Sequence, residues 1–270
     1  MLYTYITWDF NPEIFTIGPI TPRWYGLLFA SGFLAGLFIV RKMFQEEKVP
    51  EEWLDKAFMY VVIGGVVGAR LGHVFFYGWD YYSKHLLEIP AIWQGGLASH
   101  GGAIGILISV WLFSKFVSKK SMLWLLDKIV VPTALAGCFI RLGNFANSEI
   151  VGIPHDGPLA VLFVRATPPL NEVARHPVQL YEAICYLLIF FVLFYTYWRT
   201  NRKEKPGFIF GLFLVLIFSA RFWLENYKNS QGGLEEAVNN ALTTGQLLSI
   251  PFVLVGLYYM FRPTPPKVIK

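Results

Sequence analysis

The stretch Arg141-Leu142-Gly143-Asn144-Phe145-Ala146-Asn147-Ser148-Glu149-Ile150-Val151-Gly152 sets a guanidinium, two amides, a hydroxyl and a carboxylate at the end of the apolar segment Ile129 to Ile140. A guanidinium offers oxyanions a permanent bidentate fork and, unlike an ammonium, is not neutralised by burial. A charge near the bilayer centre costs roughly 2.5–3.5 kcal/mol on insertion scales, so such a cluster faces a bundle interior or a wet cavity and has a function there. A loop that merely ends a helix needs no arginine in the apolar register.

Other polar residues stand inside apolar segments. Arg70, His73 and Tyr77 recur at i, i+3 and i+7 and share a helical face, and Arg221 and Glu225 do so at i and i+4. His100 precedes Gly101, Gly102 and Gly105, which allow close approach of backbone and ligand. Gln179, Glu182 and Tyr186 share one face beneath Arg175-His176-Pro177, with Pro177 suited to a first helical position.

The elements carrying these groups are apolar. Of 270 residues, 55% are hydrophobic and only 15% charged, against about 25% charged in soluble domains. The mean hydropathy of +0.47 agrees with a polytopic membrane protein. The formal charge of +5 lies in short Lys/Arg clusters between apolar segments and forms no basic stripe, which excludes a nucleic-acid reading. Cys138 and Cys185 have no metal-like spacing and read as packing residues. No metal or nucleotide motif is present, and no cofactor is expected. The N-terminus lacks a basic n-region, so no cleavable signal peptide is expected.

Seven segments reach spanning length: Trp24–Val40, Ala57–Tyr77, Leu97–Val117, Leu125–Arg141, Val178–Trp198, Phe208–Leu224 and Gln246–Phe261. The expected fold is an all-α integral membrane protein with seven transmembrane helices, a single domain over 1–270. Residues 142–175 would form a small external cap between helices 4 and 5, with a short strand or hairpin around Leu159–Val164. The proline-broken run Ile14–Ile20 reads as an arm at the interface. Glycines at 64, 68 and 72 suit close helix packing.

Cytoplasmic connections carry the Lys/Arg excess. Thirteen such residues fall on one side (Arg41, Lys42, Lys48, Lys115, Lys119, Lys120, Arg199, Arg202, Lys203, Lys205, Arg262, Lys267, Lys270) and five on the other (Arg23, Lys84, Arg165, Arg175, Lys228). The N-terminus is therefore expected outside and the C-terminus in the cytoplasm. This puts Arg70, His73, His100, Arg141, Arg221 and Glu225 toward the outer leaflet. A transporter would need polar groups along a path through both leaflets, and neither a polar midplane nor a clear repeat is legible.

The order Arg-x-Gly-Asn-Phe-x-Asn-x-Glu with Gly152, together with Trp24-Tyr25-Gly26, His100-Gly101-Gly102 and Arg175-His176-Pro177-Val178-Gln179-Leu180-Tyr181-Glu182, resembles the bacterial prolipoprotein diacylglyceryl transferases. The resemblance runs from about Pro12 to Gly256. It implies transfer of a diacylglyceryl group from phosphatidylglycerol to the lipobox cysteine thiol of a prolipoprotein signal peptide, with release of glycerol phosphate, at the plasma membrane. Membrane lipid is then both solvent and substrate, and no nucleic acid is involved.

Such a reaction must deprotonate a thiol and stabilise a phosphate that gains charge. A thiol of pKa near 8.5 facing a histidine near 6.5 is about 2.7 kcal/mol uphill, so a base helps modestly. Donors fixed on the phosphate can each contribute on the order of 10²–10³ in rate. Arg141 is accordingly expected on the phosphate and His100 as base. Asn144, Asn147 and Glu149 are expected to hold the glycerol hydroxyls or orient Arg141, and Arg221 with Glu225 to form a second anion contact. Gly152, Tyr25, Arg70 and His176 complete the expected substrate-binding set. The family often has arginine where Lys228 stands, and this chain departs from the family pattern there. Arg70, Arg141 and Arg221 outnumber Glu149 and Glu225, so the cavity is expected to be net positive and to favour phosphatidylglycerol over phosphatidylethanolamine. A transporter and a non-catalytic lipid-binding scaffold are the rival classes.

Overall fold

The computed structural model describes residues 5–228 and 241–263. Among them, seven helices are long and apolar enough to cross a membrane. They are α1 (Trp24–Glu46), α2 (Glu52–Phe76), α3 (Ser99–Phe113, continued by a π turn over Ser114–Ser118), α4 (Met122–Ala146), α5 (Val178–Arg199), α6 (Phe208–Leu224) and α7 (Thr244–Phe261). The chain is an all-α seven-span membrane protein. Lys267 and Lys270, counted for orientation, lie outside the described residues.

The helices run past the apolar segments. α1 continues to Glu46, α2 begins at Glu52, and α4 carries on beyond Arg141 through Ala146. Hydrocarbon thickness sets a minimum apolar length, but the backbone can keep its internal hydrogen bonds where polar side chains begin. Arg141 and Asn144 therefore stand on a helix, which fixes their direction. Only 22% of the apolar window of α1 is buried within the protein, and Leu34 and Phe38 are exposed. A helix that is apolar all round yet uncovered by protein faces lipid.

The chain forms two compact units, residues 1–38 with 127–270 and residues 39–126, divided within α1 and α4. In the smaller unit, α2 lies on α3 at glycine contacts. A Cβ on Gly68 would come within 2.4 Å of the Gly101 carbonyl oxygen, and one on Gly72 within 2.7 Å of the Gly101 Cα.

In the larger unit α4 and α5 run antiparallel. The Lys128 ammonium lies 5.8 Å from the Tyr197 ring centre, Gly137 faces the Tyr186 ring, and Arg141 reaches Glu182. α6 and α7 pair through Gly211 and Gly256 and a Phe218–Phe252 stack at 4.2 Å.

The expected strand is present, and among the described residues its strand partner comes from the N-terminal segment instead of an adjoining hairpin arm. β1 (Ile6–Trp8) pairs in parallel with β2 (Val161–Phe163), Ile6 opposite Val161 and Trp8 opposite Phe163. Val161 also exchanges hydrogen bonds with Arg175, at 3.0 and 2.8 Å. Both edges of β2 are thus met by distant segments, which a local pattern of apolar residues and turns cannot announce. Trp8 donates its indole N–H to the Phe145 carbonyl at 3.1 Å and packs with Val151, Val161 and Phe163, so this layer sits directly on the end of α4.

Forcing a methyl group between α2 and α3 should cost about 1–3 kcal/mol. Gly68→Ala is therefore expected to lower the melting temperature in detergent, whereas Gly26→Ala, with nothing within 4 Å of its Cβ, should leave it unchanged. Thermal unfolding of the two variants checks this.

Candidate active site

The end of α4 builds the first half of the site. Past Ala146 the chain turns back through Ser148 and Ile150, both at positive φ (54° and 56°). The Glu149 N–H donates to the Asn144 carbonyl at 2.9 Å. The Glu149 carboxylate thereby meets both amides of the motif, accepting from Asn144 Nδ2 at 3.3 Å and from Asn147 Nδ2 at 3.1 Å. A carboxylate can only accept, so both amides must offer it their NH₂ groups and turn their oxygens away. Asn144 Oδ1 and Asn147 Oδ1 are buried with no hydrogen-bond partner among the described residues. Gln179, wholly buried on α5, donates to the Glu149 carbonyl at 2.6 Å and ties the turn to the next helix.

The second half centres on Glu182, which has no solvent exposure. One oxygen meets Arg141 Nε at 3.0 Å and the other meets Lys228 Nζ at 2.8 Å. The contact with Arg141 is an ion pair without a hydrogen bond, since Glu182 Oε2 is buried with no hydrogen-bond partner among the described residues. Lys228 also lies 3.8 Å from Glu225. The Glu225 carboxylate abuts Gly245 in the first turn of α7, where a Cβ would come within 2.4 Å of it, and the N-terminal end of a helix favours negative charge. Arg221 and Arg141 both act electrostatically on the Tyr186 hydroxyl, as does Glu182.

The remaining expected residues of this unit converge here. Tyr25 packs on Gly143, whose Cβ would come within 2.8 Å of the ring, and lies within electrostatic reach of Glu149 and Arg141. Gly152 donates to the His176 carbonyl at 3.0 Å and accepts from Arg175 at 3.1 Å. Any side chain at Gly152 would meet the Tyr227 and His176 carbonyl oxygens within 2.7 Å, so its part is to let three segments close together. His176 stacks on His155 at 3.8 Å, and its Nδ1 lies 3.2 Å from the Tyr181 hydroxyl. Burial, then the neighbouring imidazole of His155, holds the His176 pKa below its usual value.

Two expected residues belong to the smaller unit. His100 is exposed in the first turn of α3. Arg70 is only 3% exposed and donates to backbone carbonyls: Nε to Ile89 at 2.7 Å, Nη1 to Gly95 at 2.6 Å and Nη2 to Glu88 at 2.8 Å, while its guanidinium lies over the Tyr82 ring. This arrangement speaks for a role in holding the loop after α2, in place of the substrate contact expected of Arg70.

Among the described residues of the larger unit the cluster contains Arg141, Arg175, Arg221 and Lys228 and the carboxylates Glu149, Glu182 and Glu225. Glu182 is the residue that sequence reasoning undervalued. Its place after Arg175-His176-Pro177 suggests a helix-start cap, and only its zero exposure reveals a buried counter-charge.

Removing one partner from a buried ion pair costs about 3–5 kcal/mol. Glu182→Ala leaves two cations without their shared carboxylate, so it should destabilise by at least that much, and Glu182→Gln by less, in denaturant or thermal unfolding. A second expectation follows from His176. Its folded pKa lies below the unfolded value of about 6.5, so its contribution to stability is complete above that pH and is lost as pH falls toward the folded value. His155→Gln should therefore lessen the drop in melting temperature on acidification from about pH 7.5 to about 5.5 relative to the parent protein.

Comparison with known proteins bears directly on this cluster. The family model described as prolipoprotein diacylglyceryl transferase matches residues 12–262. The phosphatidylglycerol-prolipoprotein diacylglyceryl transferase of Tolumonas auensis is 48% identical over 260 residues, covering 96% of this chain and 98% of the relative. Those of Chloroherpeton thalassium and Porphyromonas gingivalis are 46% identical over 259 residues and 44% over 272, covering 96% and 97% of this chain and 94% and 95% of the relatives. With the match extending from the residues before α1 to the end of α7, the chain belongs to the prolipoprotein diacylglyceryl transferase family.

Proposed function

We propose that this protein transfers the diacylglyceryl group of phosphatidylglycerol to the lipobox cysteine thiol of prolipoproteins, the first step of lipoprotein maturation. One observation carries the reading beyond family membership. Arg141 pairs with the buried Glu182 from the helix that also carries Asn144, and the side-chain oxygens of Asn144 and Asn147 are buried without partners among the described residues. That set complements a phosphate bearing a diol: the fork binds the anion, and the Asn144 and Asn147 oxygens accept from the two glycerol hydroxyls.

The reaction then runs as follows. His100 takes the thiol proton, and the sulfur attacks the glyceryl carbon attached to the phosphate. The C–O bond breaks with its electron pair moving to the phosphate oxygen. A thioether forms, and glycerol phosphate leaves with two negative charges where the diester had one. Arg141 faces the charge that develops, and Arg221 supplies the second contact. Glu182 and Glu225 keep the cations in place, Glu149 orients the amides, and Tyr25, Gly152 and His176 shape the surrounding wall. Selection of phosphatidylglycerol rests on the match of hydroxyl donors to amide acceptors.

Residues 142–175 serve as a cap on the outer side of a single transferase domain. The N-terminus lies outside, the C-terminus in the cytoplasm, and the site opens to the outer leaflet of the plasma membrane. The Lys/Arg asymmetry supports this orientation.

Purified protein in phosphatidylglycerol vesicles should release labelled glycerol phosphate only when a lipobox peptide is present, an outcome that neither a transporter nor a scaffold would give. Arg141→Lys, which keeps the charge but loses the fork, and His100→Gln should both lower turnover by about tenfold or more. Full turnover of His100→Gln, with no relative gain as pH rises, would remove His100 as base. Impermeant labelling should reach Asp156→Cys, but not cysteines placed near Lys120 or Lys203, in intact cells.

A further inference from the structure

Asp127 on α4 is only 3% exposed, and its carboxylate faces the start of another spanning helix. Its Oδ2 accepts from the Gly207 N–H at 2.6 Å and its Oδ1 from the Phe210 N–H at 2.8 Å. Gly207 has φ +89° and no side chain, so α6 has no N-terminal cap of its own and takes one from α4. The contact is far from Arg141 along α4, and its height is what matters.

Counting onward from the contact, Arg141 lies fourteen residues beyond Asp127, and Arg221 lies fourteen beyond Gly207. At 1.5 Å per residue both arginines stand about 21 Å further along their helices. The two helices run in the same direction, since their starts meet at Asp127 and both arginines act on Tyr186 of α5. Apolar helix faces in lipid have little hydrophobic preference for one axial position over another, so a directional polar contact must set the depth.

We infer that Asp127 is a positioning residue, a pin that fixes the axial register of α6 against α4 and so brings Arg221 to the level of Arg141. The inference rests on the proposal that both arginines serve one phosphate. Lys128, also buried and directed at Tyr197, holds α5 at the same level.

The test uses the full chain in phosphatidylglycerol nanodiscs, with Cys138 and Cys185 replaced by alanine and spin labels on cysteines replacing the exposed Thr133 of α4 and Trp223 of α6. Asp127→Ala should shift or broaden the distance between the labels by about one to three residue rises, roughly 2–5 Å. It should also lower kcat for transfer by about tenfold at unchanged KM for the lipobox peptide. Asp127→Asn keeps an acceptor oxygen and should show a smaller change in both; it carries the test alone if the alanine variant does not fold. An unchanged distance overturns the pin whatever the rate, and a shifted distance with full kcat overturns its role in the reaction. Full activity of Arg221→Gln would instead remove the shared-phosphate reading and leave the distance result standing.

Discussion

One carboxylate with no access to solvent, Glu182, lies between two cations that arrive from different parts of the chain. Removing a charge from water costs several kcal/mol, and an ion pair in the interior repays that only when its geometry is good and its remaining valences are satisfied. Glu182 accepts a hydrogen bond from Lys228 with one oxygen, while its other oxygen faces Arg141 Nε at 3.0 Å as an ion pair only. α4, α5 and the segment after α6 are thereby held at one point. The Asn144–Glu149 turn, the layer formed with Trp8 and the contact of Glu225 with the first turn of α7 are arranged around that point.

The pairing also decides what Arg141 can do. A guanidinium gripped by its fork would present only an edge to a substrate, whereas one gripped at Nε keeps its two parallel donors for an oxyanion. In the same way, Glu149 compels two amides to turn their oxygens from it. The two carboxylates act on the chemistry indirectly, by fixing which face of each neighbour is available. They also offset part of the positive charge of the cluster, which leaves recognition to directional bonds.

The spans were legible because hydrocarbon thickness imposes a length on apolar segments that composition alone reveals. Arg141, Asn144, Asn147 and Glu149 were legible as a group because polar residues at the end of such a segment demand a reason. Glu182 was not, since its partners lie 41 residues before it and 46 after it and leave no local pattern. Asp127 and Lys128 were equally hidden: at the edge of a span they look like ordinary interfacial charges, and only their burial distinguishes them. Arg70 shows the opposite error. Its position in an apolar helix invited a substrate, but the carbonyls of a loop that follows by some twenty residues take up its donors.

The parallel ladder between Ile6–Trp8 and Val161–Phe163 imposes an order of events during synthesis. About 150 residues separate its strands, and at 5–20 residues per second the first strand waits roughly 8–30 s for its partner to be made. Four spans emerge in that interval, while the edge of β1 and the indole of Trp8 lack their final contacts. Arg141 is made before Glu182 and long before Lys228, so the nascent chain carries an uncompensated cation at the end of its fourth span. The corner assembles last, after its separate pieces have been threaded. A chain truncated between the end of α4 and Glu182 therefore leaves the ribosome with four spans and no Glu182 to pair with Arg141.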